Sequence, residues 1–259
     1  MDPAELTPDA VLSLLDADAL RLRYQPIVRL ADRAVIGFEA LARLEHPTRG
    51  TLPPRDFVPQ LETHGHGWIL FTHVLTAALS EWAIVFQPDD NLTLSLNAPL
   101  DVLRDPLLPD LLRSGCQRIA VPAHRLVLEL TETQAVPDVD VLRRPLTLLR
   151  RLGVALAVDD ILPVTREPGG LLGLPFGTLK LDKRVVREAA DSASARAFIR
   201  SSLAIGHTVG MQVVAEGVED AAIWDRMAAL GCDQAQGFFI ARPLPAAAIG
   251  GWRAAWTGG

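Results

Sequence analysis

Cysteine is scarce in this chain, and the patterns of a secreted or membrane-spanning protein are absent from its sequence. The 259 residues include two cysteines, Cys116 and Cys232, with no CxxC motif and no Cys/His spacing typical of zinc. No uninterrupted apolar run reaches about 18 residues, so no membrane span is predicted. The acidic start, Met1–Glu5, lacks the basic-then-apolar order of a signal peptide. We therefore expect a cytoplasmic protein without a disulfide framework.

Positive charge is also in deficit. The chain carries 25 Lys and Arg residues against 31 Asp and Glu residues, a net charge of −6. This balance disfavours binding to a nucleic-acid polymer, but it leaves open a small anionic ligand if metals or local arginines offset the charge. Hydrophobic residues, in contrast, make up 49% of the chain, which is enough to fill a large core.

Short apolar runs alternate with helical stretches along the chain. Eight runs are predicted as strands: Leu22–Val28, Ala34–Ala42, Leu92–Asn97, Leu126–Leu130, Ala155–Val158, Thr178–Leu181, Gln212–Ala215 and Gln236–Ile240. In an α/β chain of this length, the alternation favours a modified TIM (β/α)8 barrel. Because Arg29–Arg33 is too short for a helix, the first two runs are expected to pair antiparallel, which gives the barrel an irregular first strand.

The helical stretches are expected to belong to the same barrel. Residues 1–20 are predicted as a leading helix that is part of the barrel domain, with its apolar face formed by Leu12, Leu14, Leu15 and Leu20, and the barrel itself is predicted over residues 21–259. Asp56–Ala83 is predicted as helix with Asp56 as its N-cap, broken at His64–Gly67. Asp191–Gly210 is predicted as a further helix.

Polar side chains recur where the predicted strands end. They are Glu39, Asn97, Glu129, Asp159, Asp160, Lys180, Glu216 and Gln236. In a barrel of this class the carboxyl ends of the strands meet at one mouth, so these side chains are expected to share one cup. Taken singly, an acid after a strand is more often a helix cap or a solvated loop residue. Five acids together repel one another and require cations.

Lys180 supplies one of those cations, although an ordinary ion-pair lysine is the alternative reading of that residue. Hard divalent cations, which prefer oxygen ligands, are expected to supply the rest. Zinc is disfavoured because the six histidines share no strand end and no metal-binding spacing. His64 and His66, two residues apart in a Gly-rich turn, are expected to be solvated.

The segment Gly37–Arg43, with the sequence GFEALAR, resembles the signature of the EAL domain family. Further blocks that resemble this family are Tyr24–Val28, Ser95–Asn97, Glu129–Glu132, Asp159–Asp160, Leu179–Asp182, Val214–Glu219 and Gln236–Phe238. They follow in the family's order and spacing over residues 20–245. The resemblance implies an EAL-type modified barrel that hydrolyses cyclic di-GMP to linear pGpG.

The resemblance also implies roles for residues at matching positions. It implies two Mg²⁺ or Mn²⁺ ions per site, inhibition by Ca²⁺, and these metal ligands: Glu39, Asn97, Glu129, Asp159 and Asp160. It places Lys180, Glu216 and Asp160 among the catalytic residues, with Glu216 either as a ligand of the second metal or as general base. The implied substrate contacts are Gln25, Arg43 and Gln236, and the implied supporting residues are Glu132, Asp182 and Glu219.

The chain departs from the family pattern after its aspartate pair. Where the family has Phe-Gly-x-Gly-x-Ser-x-Leu, residues 161–171 carry displaced glycines, together with Pro163 and Pro168, which fix φ and remove amide donors. An ion pair between Glu132 and Arg166 is a hypothesis for what anchors this loop. Because the loop is implicated in family dimerisation, a homodimer is suggested by family habit and left open by the sequence.

Three functions follow from the sequence. The first is a cyclic di-GMP phosphodiesterase, whose turnover the altered loop makes slow or conditional. The second is a catalytically weak or inactive cyclic di-GMP receptor. The third is a barrel hydrolase that acts on another phosphate ester. Intact residues at the metal-ligand positions favour the first function, and the altered loop favours the second.

Overall fold

One sheet that closes on itself forms the centre of the molecule. The computed structural model describes residues 6–86, 91–130, 140–161 and 173–256, apart from the side chains of residues 160 and 161. Its strands are β1 (Leu20–Arg29), β2 (Val35–His46), β3 (Gly50–Leu52), β4 (Thr93–Ala98), β5 (Leu126–Leu130), β6 (Ala155–Ile161), β7 (Thr178–Leu181), β8 (Gln212–Ala215) and β9 (Gln234–Ala235). They follow the order β1-β9-β8-β7-β6-β5-β4-β2-β3, and β1 also pairs with β2. Eight strands therefore close a TIM-like barrel, and β3 extends β2 outside it.

The first strand runs against its neighbours, as the sequence predicts. β1 pairs antiparallel with both β2 and β9, whereas the pairs from β2 through β4 to β9 around the rest of the barrel are parallel. A tight turn joins β1 to β2: Ala34 donates its amide to Asp32 Oδ1 at 3.1 Å, and Arg33 has a positive φ of 59°. The connection is too short for a helix, and the predicted antiparallel hairpin is confirmed.

Helices cover the outside of this barrel. They are α1 (Pro8–Asp16), α2 (Pro54–Thr63), α3 (Gly67–Ser80), α4 (Trp82–Val85), α5 (Leu100–Arg104), α6 (Leu108–Arg118), α7 (Asp140–Leu152), α8 (Lys183–Glu188), α9 (Ala193–Thr208), α10 (Ala221–Leu230) and α11 (Ile249–Ala255). In α7, Leu142, Leu146 and Leu149 are buried at the spacing of one helical face, and Arg150 and Arg151 remain exposed. Among the described residues, no helix is both long and apolar enough to span a bilayer.

The break predicted within Asp56–Ala83 is confirmed. Helix α2 ends at Thr63 and α3 begins at Gly67, with Gly65 between them at a φ of +75° that favours glycine. The prediction that Asp56 caps the first of these helices is wrong. The helix begins at Pro54, because proline suits the first helical turn, where its missing amide proton has no partner to lose.

Other boundaries also differ from the sequence prediction. The leading helix ends at Asp16, and Leu20 begins β1 because Asp18 turns the chain with a φ of +52°. The run Gln236–Ile240 is not a strand: β9 consists of Gln234–Ala235 only. The segment that follows β9 leaves the sheet and forms hydrogen bonds with the loop after β8. There the amide of Val218 donates to Gln236 O at 3.0 Å, and the amide of Phe239 donates to Val218 O at 3.0 Å.

Candidate functional site

Four carboxylates converge on one buried lysine at the mouth of the barrel. Lys180, on β7, has only 1% of its surface exposed. Its Nζ lies 2.6 Å from Glu129 Oε2 and 2.7 Å from Glu216 Oε1. The same nitrogen lies 3.3 Å from Asp159 Oδ1 and 3.4 Å from Glu39 Oε2. These acids come from β2, β5, β6 and the residue after β8, so four separate parts of the chain supply them. We refer to Lys180 together with these four acids as the lysine cluster.

The register of the parallel strands aligns the side chains of this cluster. β4 pairs with β5 so that Asn97 stands beside Glu129, and β7 pairs with β8 so that Lys180 stands beside Val214, two residues before Glu216. Side chains at neighbouring positions of parallel strands point to the same face of the sheet. Adjacent strands therefore deliver their acids to one place.

Two amide side chains complete the surroundings of Glu39. Asn97 Nδ2 donates to Glu39 Oε1 at 2.8 Å, and Gln236 Nε2 donates to Glu39 Oε2 at 2.7 Å. Gln236 Nε2 also lies 3.3 Å from Gln25 Oε1, and Gln25 Nε2 donates to Ala241 O at 3.2 Å. Within the described residues, the buried Gln236 Oε1 has no hydrogen-bond partner. Such a buried acceptor is a feature that a bound ligand can satisfy.

Charge is out of balance in the lysine cluster. With all four acids ionised, four negative charges and one positive charge leave a net charge of −3. Burial raises the pKa of Glu129 to about 8 in spite of Lys180. Burial, followed by the charge of Asp159, also raises the pKa of Glu216 well above its ordinary value. Lys180 therefore does not neutralise the lysine cluster fully, and further positive charge would stabilise it.

Glu39 and Lys180 shift in the directions that keep them charged. Burial alone raises the pKa of Glu39, but Lys180 and the two amide donors together hold that pKa below its usual value. Burial alone lowers the pKa of Lys180, but the surrounding carboxylates outweigh burial and raise that pKa well above its ordinary value. Lys180 is thus a permanent cation at the floor of the site.

The donor atoms here fit divalent cations of the Mg²⁺ and Mn²⁺ class. All are oxygens from carboxylates, with the Oδ1 of Asn97 available from the amide that holds Glu39. Among the described side chains, no group of three or more His, Cys, Asp or Glu residues already surrounds a single ion position. The ammonium of Lys180 draws these acids toward itself, and the side chain of Asp160 lies outside the described residues. The fit therefore rests on the chemistry of the donors and on their excess negative charge.

A cavity of about 610 Å³ opens above the lysine cluster. The predicted site residues that line it are Gln25, Glu39, Arg43, Asn97, Asp159, Glu216, Glu219 and Gln236. Lys180 lies beneath its floor. A volume of this size suits a ligand larger than a single phosphate group.

Of the predicted supporting residues, one caps a helix and one lines the cavity. Asp182 caps α8, since its Oδ1 accepts from the amide of Arg184 at 2.7 Å and pairs with Arg184 Nε at 3.0 Å. Glu219 lies at the cavity wall, with Arg187 Nη2 at 3.8 Å from its Oε2. Glu132, Arg166 and most of the altered loop lie outside the described residues, so their predicted roles stay predictions.

Sequence reasoning missed one wall of the cavity. It is apolar and consists of Val58, Leu70, Phe71 and Val74 on α2 and α3. The helical pattern of this stretch predicts which face is buried and not what that face contacts. Phe238, which also lines the cavity, is 48% exposed and carries the Arg242 guanidinium 4.3 Å from its ring centroid.

Comparison with known proteins gives the chain a family context. A family model described as the EAL domain matches residues 9–243. An uncharacterized signaling protein of Caulobacter vibrioides is 35% identical over 236 residues, which cover 91% of this chain and 29% of that protein. The bifunctional diguanylate cyclase/cyclic di-GMP phosphodiesterase MucR of Pseudomonas aeruginosa is 33% identical over 235 residues, which cover 90% of this chain and 34% of MucR. The chain thus spans about a third of the length of these two relatives.

Solved structures agree in fold. The structure described as PaMucR phosphodiesterase, c-di-GMP complex, superposes with a TM-score of 0.84 at 30% identity and covers 92% of this chain and 96% of that one. The EAL domain of Mycobacterium smegmatis DcpA superposes with a TM-score of 0.75 at 26% identity and covers 92% of this chain and 97% of that one.

Proposed function

The chain belongs to the EAL domain family, and we propose that it is a cyclic di-GMP phosphodiesterase that hydrolyses its substrate to linear pGpG by a two-metal mechanism. The observation that carries this proposal is the convergence of four carboxylates on Lys180 beneath a large cavity. Relatives that share most of the domain are described as cyclic di-GMP phosphodiesterases, which supports the choice of substrate.

Divalent cations are the cofactors that this proposal assigns to the site. The residues that would hold them are Glu39, Asn97, Glu129, Asp159 and Asp160. If bound there, two such ions would polarise a phosphodiester and lower the pKa of a bound water. Their positive charge would offset the net charge of −3 that the cluster carries when all four acids are ionised.

Lys180 and Glu216 act on charge and protons during the reaction. Hydrolysis forms a bond from a water oxygen to phosphorus, breaks the bond from phosphorus to one 3′ oxygen, and moves one proton from the water to that oxygen. Lys180 keeps its proton, so it stabilises the negative charge that grows on the phosphate. Glu216 faces the cavity and serves as general base for the water, or as a ligand of the second cation.

The second candidate function is a cyclic di-GMP receptor that does not turn over its ligand. The observation that favours it is the altered sequence of residues 161–171, where proline and bulky residues replace the glycines of the family pattern. A receptor of this kind would keep the cavity and bind the ligand without releasing a product.

Product analysis separates the two candidates. Purified protein is incubated with cyclic di-GMP and Mn²⁺, and the nucleotides are resolved by chromatography. We expect pGpG from the wild type, and a loss of about 100-fold or more in the variant Lys180→Met, because a fixed charge at the reacting group is removed. The surface variant Arg113→Ala, in which only an exposed ion pair with Asp110 is lost, serves as the matched control. Binding of cyclic di-GMP without pGpG supports the receptor instead.

A further inference from the structure

Helix α7 carries a second stripe of side chains on the side that faces solvent. Its buried leucines form the stripe that packs against the rest of the protein. On the exposed side, arginine and aliphatic residues recur at intervals of three, four and three residues. Side chains at these intervals are neighbours on a helix surface. The exposed residues in question, which we call the outer stripe, are Val141, Arg144, Leu148 and Arg151.

Acids near α7 do not neutralise the outer stripe. Residues 141–152 contain four arginines and no Asp or Glu. Asp140, at the start of the helix, pairs with Arg143 at 3.1 Å. Asp110, on the helix α6 that packs beside α7, pairs with Arg113 at 2.7 Å. Within the residues that the structure describes, neither arginine of the outer stripe has an ion-pair partner.

Helix stability explains only part of this positive charge. Arg150 and Arg151 lie in the last turn of α7, where the helix dipole favours cations. Arg144 lies in the half of the helix nearer its N-terminus, where the dipole gives a cation no benefit. In a chain with a net charge of −6, a surface that carries only positive charge points to an anionic partner.

Exposed aliphatic side chains indicate which kind of anionic partner fits. Val141 is 42% exposed and Leu148 is 44% exposed, and both lie next to Arg144 on the helix surface. A nucleic acid offers phosphates to the arginines but uses aromatic side chains for stacking, and residues 140–152 contain none. An anionic bilayer engages both kinds of side chain, because lipid headgroups bind arginine and the acyl boundary accepts aliphatic groups.

We propose that the outer stripe docks this domain onto the surface of an anionic lipid bilayer. Arg144 and Arg151 bind lipid headgroups, and Val141 and Leu148 contact the acyl boundary. Among the described residues that line the cavity, none belongs to α7, so docking leaves the cavity open to a ligand. Two arginines and two aliphatic side chains make this binding weak and reversible. The inference does not depend on the proposed function.

Co-sedimentation with vesicles tests this proposal. The protein is mixed at low and at high NaCl with vesicles of phosphatidylcholine alone, or of phosphatidylcholine and phosphatidylglycerol in equal parts. We expect the wild type to bind only the mixed vesicles and to bind them less at high salt. The double variant Arg144→Gln/Arg151→Gln should bind them about 25-fold more weakly, because each arginine near an anionic surface contributes about fivefold.

The matched control is Arg29→Gln/Arg200→Gln, which removes two positive charges from exposed positions on β1 and α9. Because these positions lie outside the outer stripe, we expect vesicle binding to change by less than about twofold. Leu148→Gln removes an apolar contact and no charge, so it should weaken binding a few fold and leave the salt dependence unchanged. Circular dichroism of each variant verifies that the fold is intact.

The outcomes decide the proposal separately from the proposed function. Equal binding of the wild type and the Arg144→Gln/Arg151→Gln variant to the mixed vesicles would show that the outer stripe does not dock. Equal binding to both kinds of vesicle would exclude an electrostatic contact and overturn the proposal. A wild type that ignores vesicles but shifts a DNA duplex in a gel would identify a nucleic acid as the partner instead. Hydrolysis of cyclic di-GMP in solution is unaffected by any of these results.

Discussion

At the scale of single residues, Lys180 explains how the carboxylates can stand together before any cation binds. An unpaired buried charge costs several kcal/mol, and one ammonium within 3.4 Å of four acids offsets part of that cost. The offset is incomplete, since burial still raises the pKa of Glu129 to about 8. Lys180 thus neutralises part of the negative charge of these acids and leaves the rest for further cations.

Gln236 is the residue whose contribution to this arrangement can be measured most cleanly. Its Nε2 donates to Glu39 at 2.7 Å and to Gln25 at 3.3 Å, and the residue is 3% exposed. We expect Gln236→Leu, which keeps the size and removes both donors, to lower the free energy of unfolding by about 1–3 kcal/mol, because Glu39 loses a buried donor. Urea denaturation with EDTA measures this change.

The matched control for Gln236 is Gln212, an exposed glutamine at the start of β8. Gln212→Leu makes the same chemical change on the surface and should alter the free energy of unfolding by less than about 0.5 kcal/mol. Equal effects of the two substitutions would show that the hydrogen bonds of Gln236 do not hold Glu39 in place.

At the scale of elements, the sequence predicts strands more reliably than their ends. The runs Thr178–Leu181 and Gln212–Ala215 match β7 and β8 because buried strands are short, continuous and apolar. The prediction fails at Gln236–Ile240, which is equally apolar but lies in a turn. Hydrophobicity reports burial, and only the contacts with Val218 decide that this segment leaves the sheet.

Gly237 is what allows that turn to pack. A Cβ at this position would overlap the backbone of Val218, whose nitrogen and oxygen bond to this same segment. We expect Gly237→Ala to lower the free energy of unfolding by at least about 1–3 kcal/mol, since rigid backbone must move to admit the methyl group. Thermal unfolding followed by circular dichroism measures the loss.

Gly250 provides the comparison for Gly237. It lies in α11, and a Cβ there would meet nothing within 4 Å. Gly250→Ala is expected to be neutral or to stabilise the protein by about 0.5–1 kcal/mol, because alanine favours the helix. A Gly237→Ala protein as stable as the wild type would contradict the packing described for this turn.

At the scale of the whole molecule, the closed barrel follows from the alternation of elements, and the convergence of the acids follows from the barrel. Once Glu39, Glu129 and Asp159 are assigned to parallel strands of the barrel, geometry brings them to one mouth. The sequence does not indicate the apolar wall of Phe71 and its neighbours or the opposition of Arg21 and Arg43. The apolar wall depends on how elements distant in the chain pack together. The opposition of the two arginines depends on the register of the β1–β2 hairpin, which packing also sets.

Acids from separate strands form one site with excess negative charge, and we expect this site to bind divalent cations. Titration with Mn²⁺, followed by the loss of the free-ion electron paramagnetic resonance signal, tests this claim most directly. We expect saturable binding to the wild type and to the exposed-site control Asp110→Asn, and affinity weaker by about 10-fold or more in Asp159→Asn. A wild type that binds Mn²⁺ no better than Asp159→Asn does would show that these acids do not form a cation site.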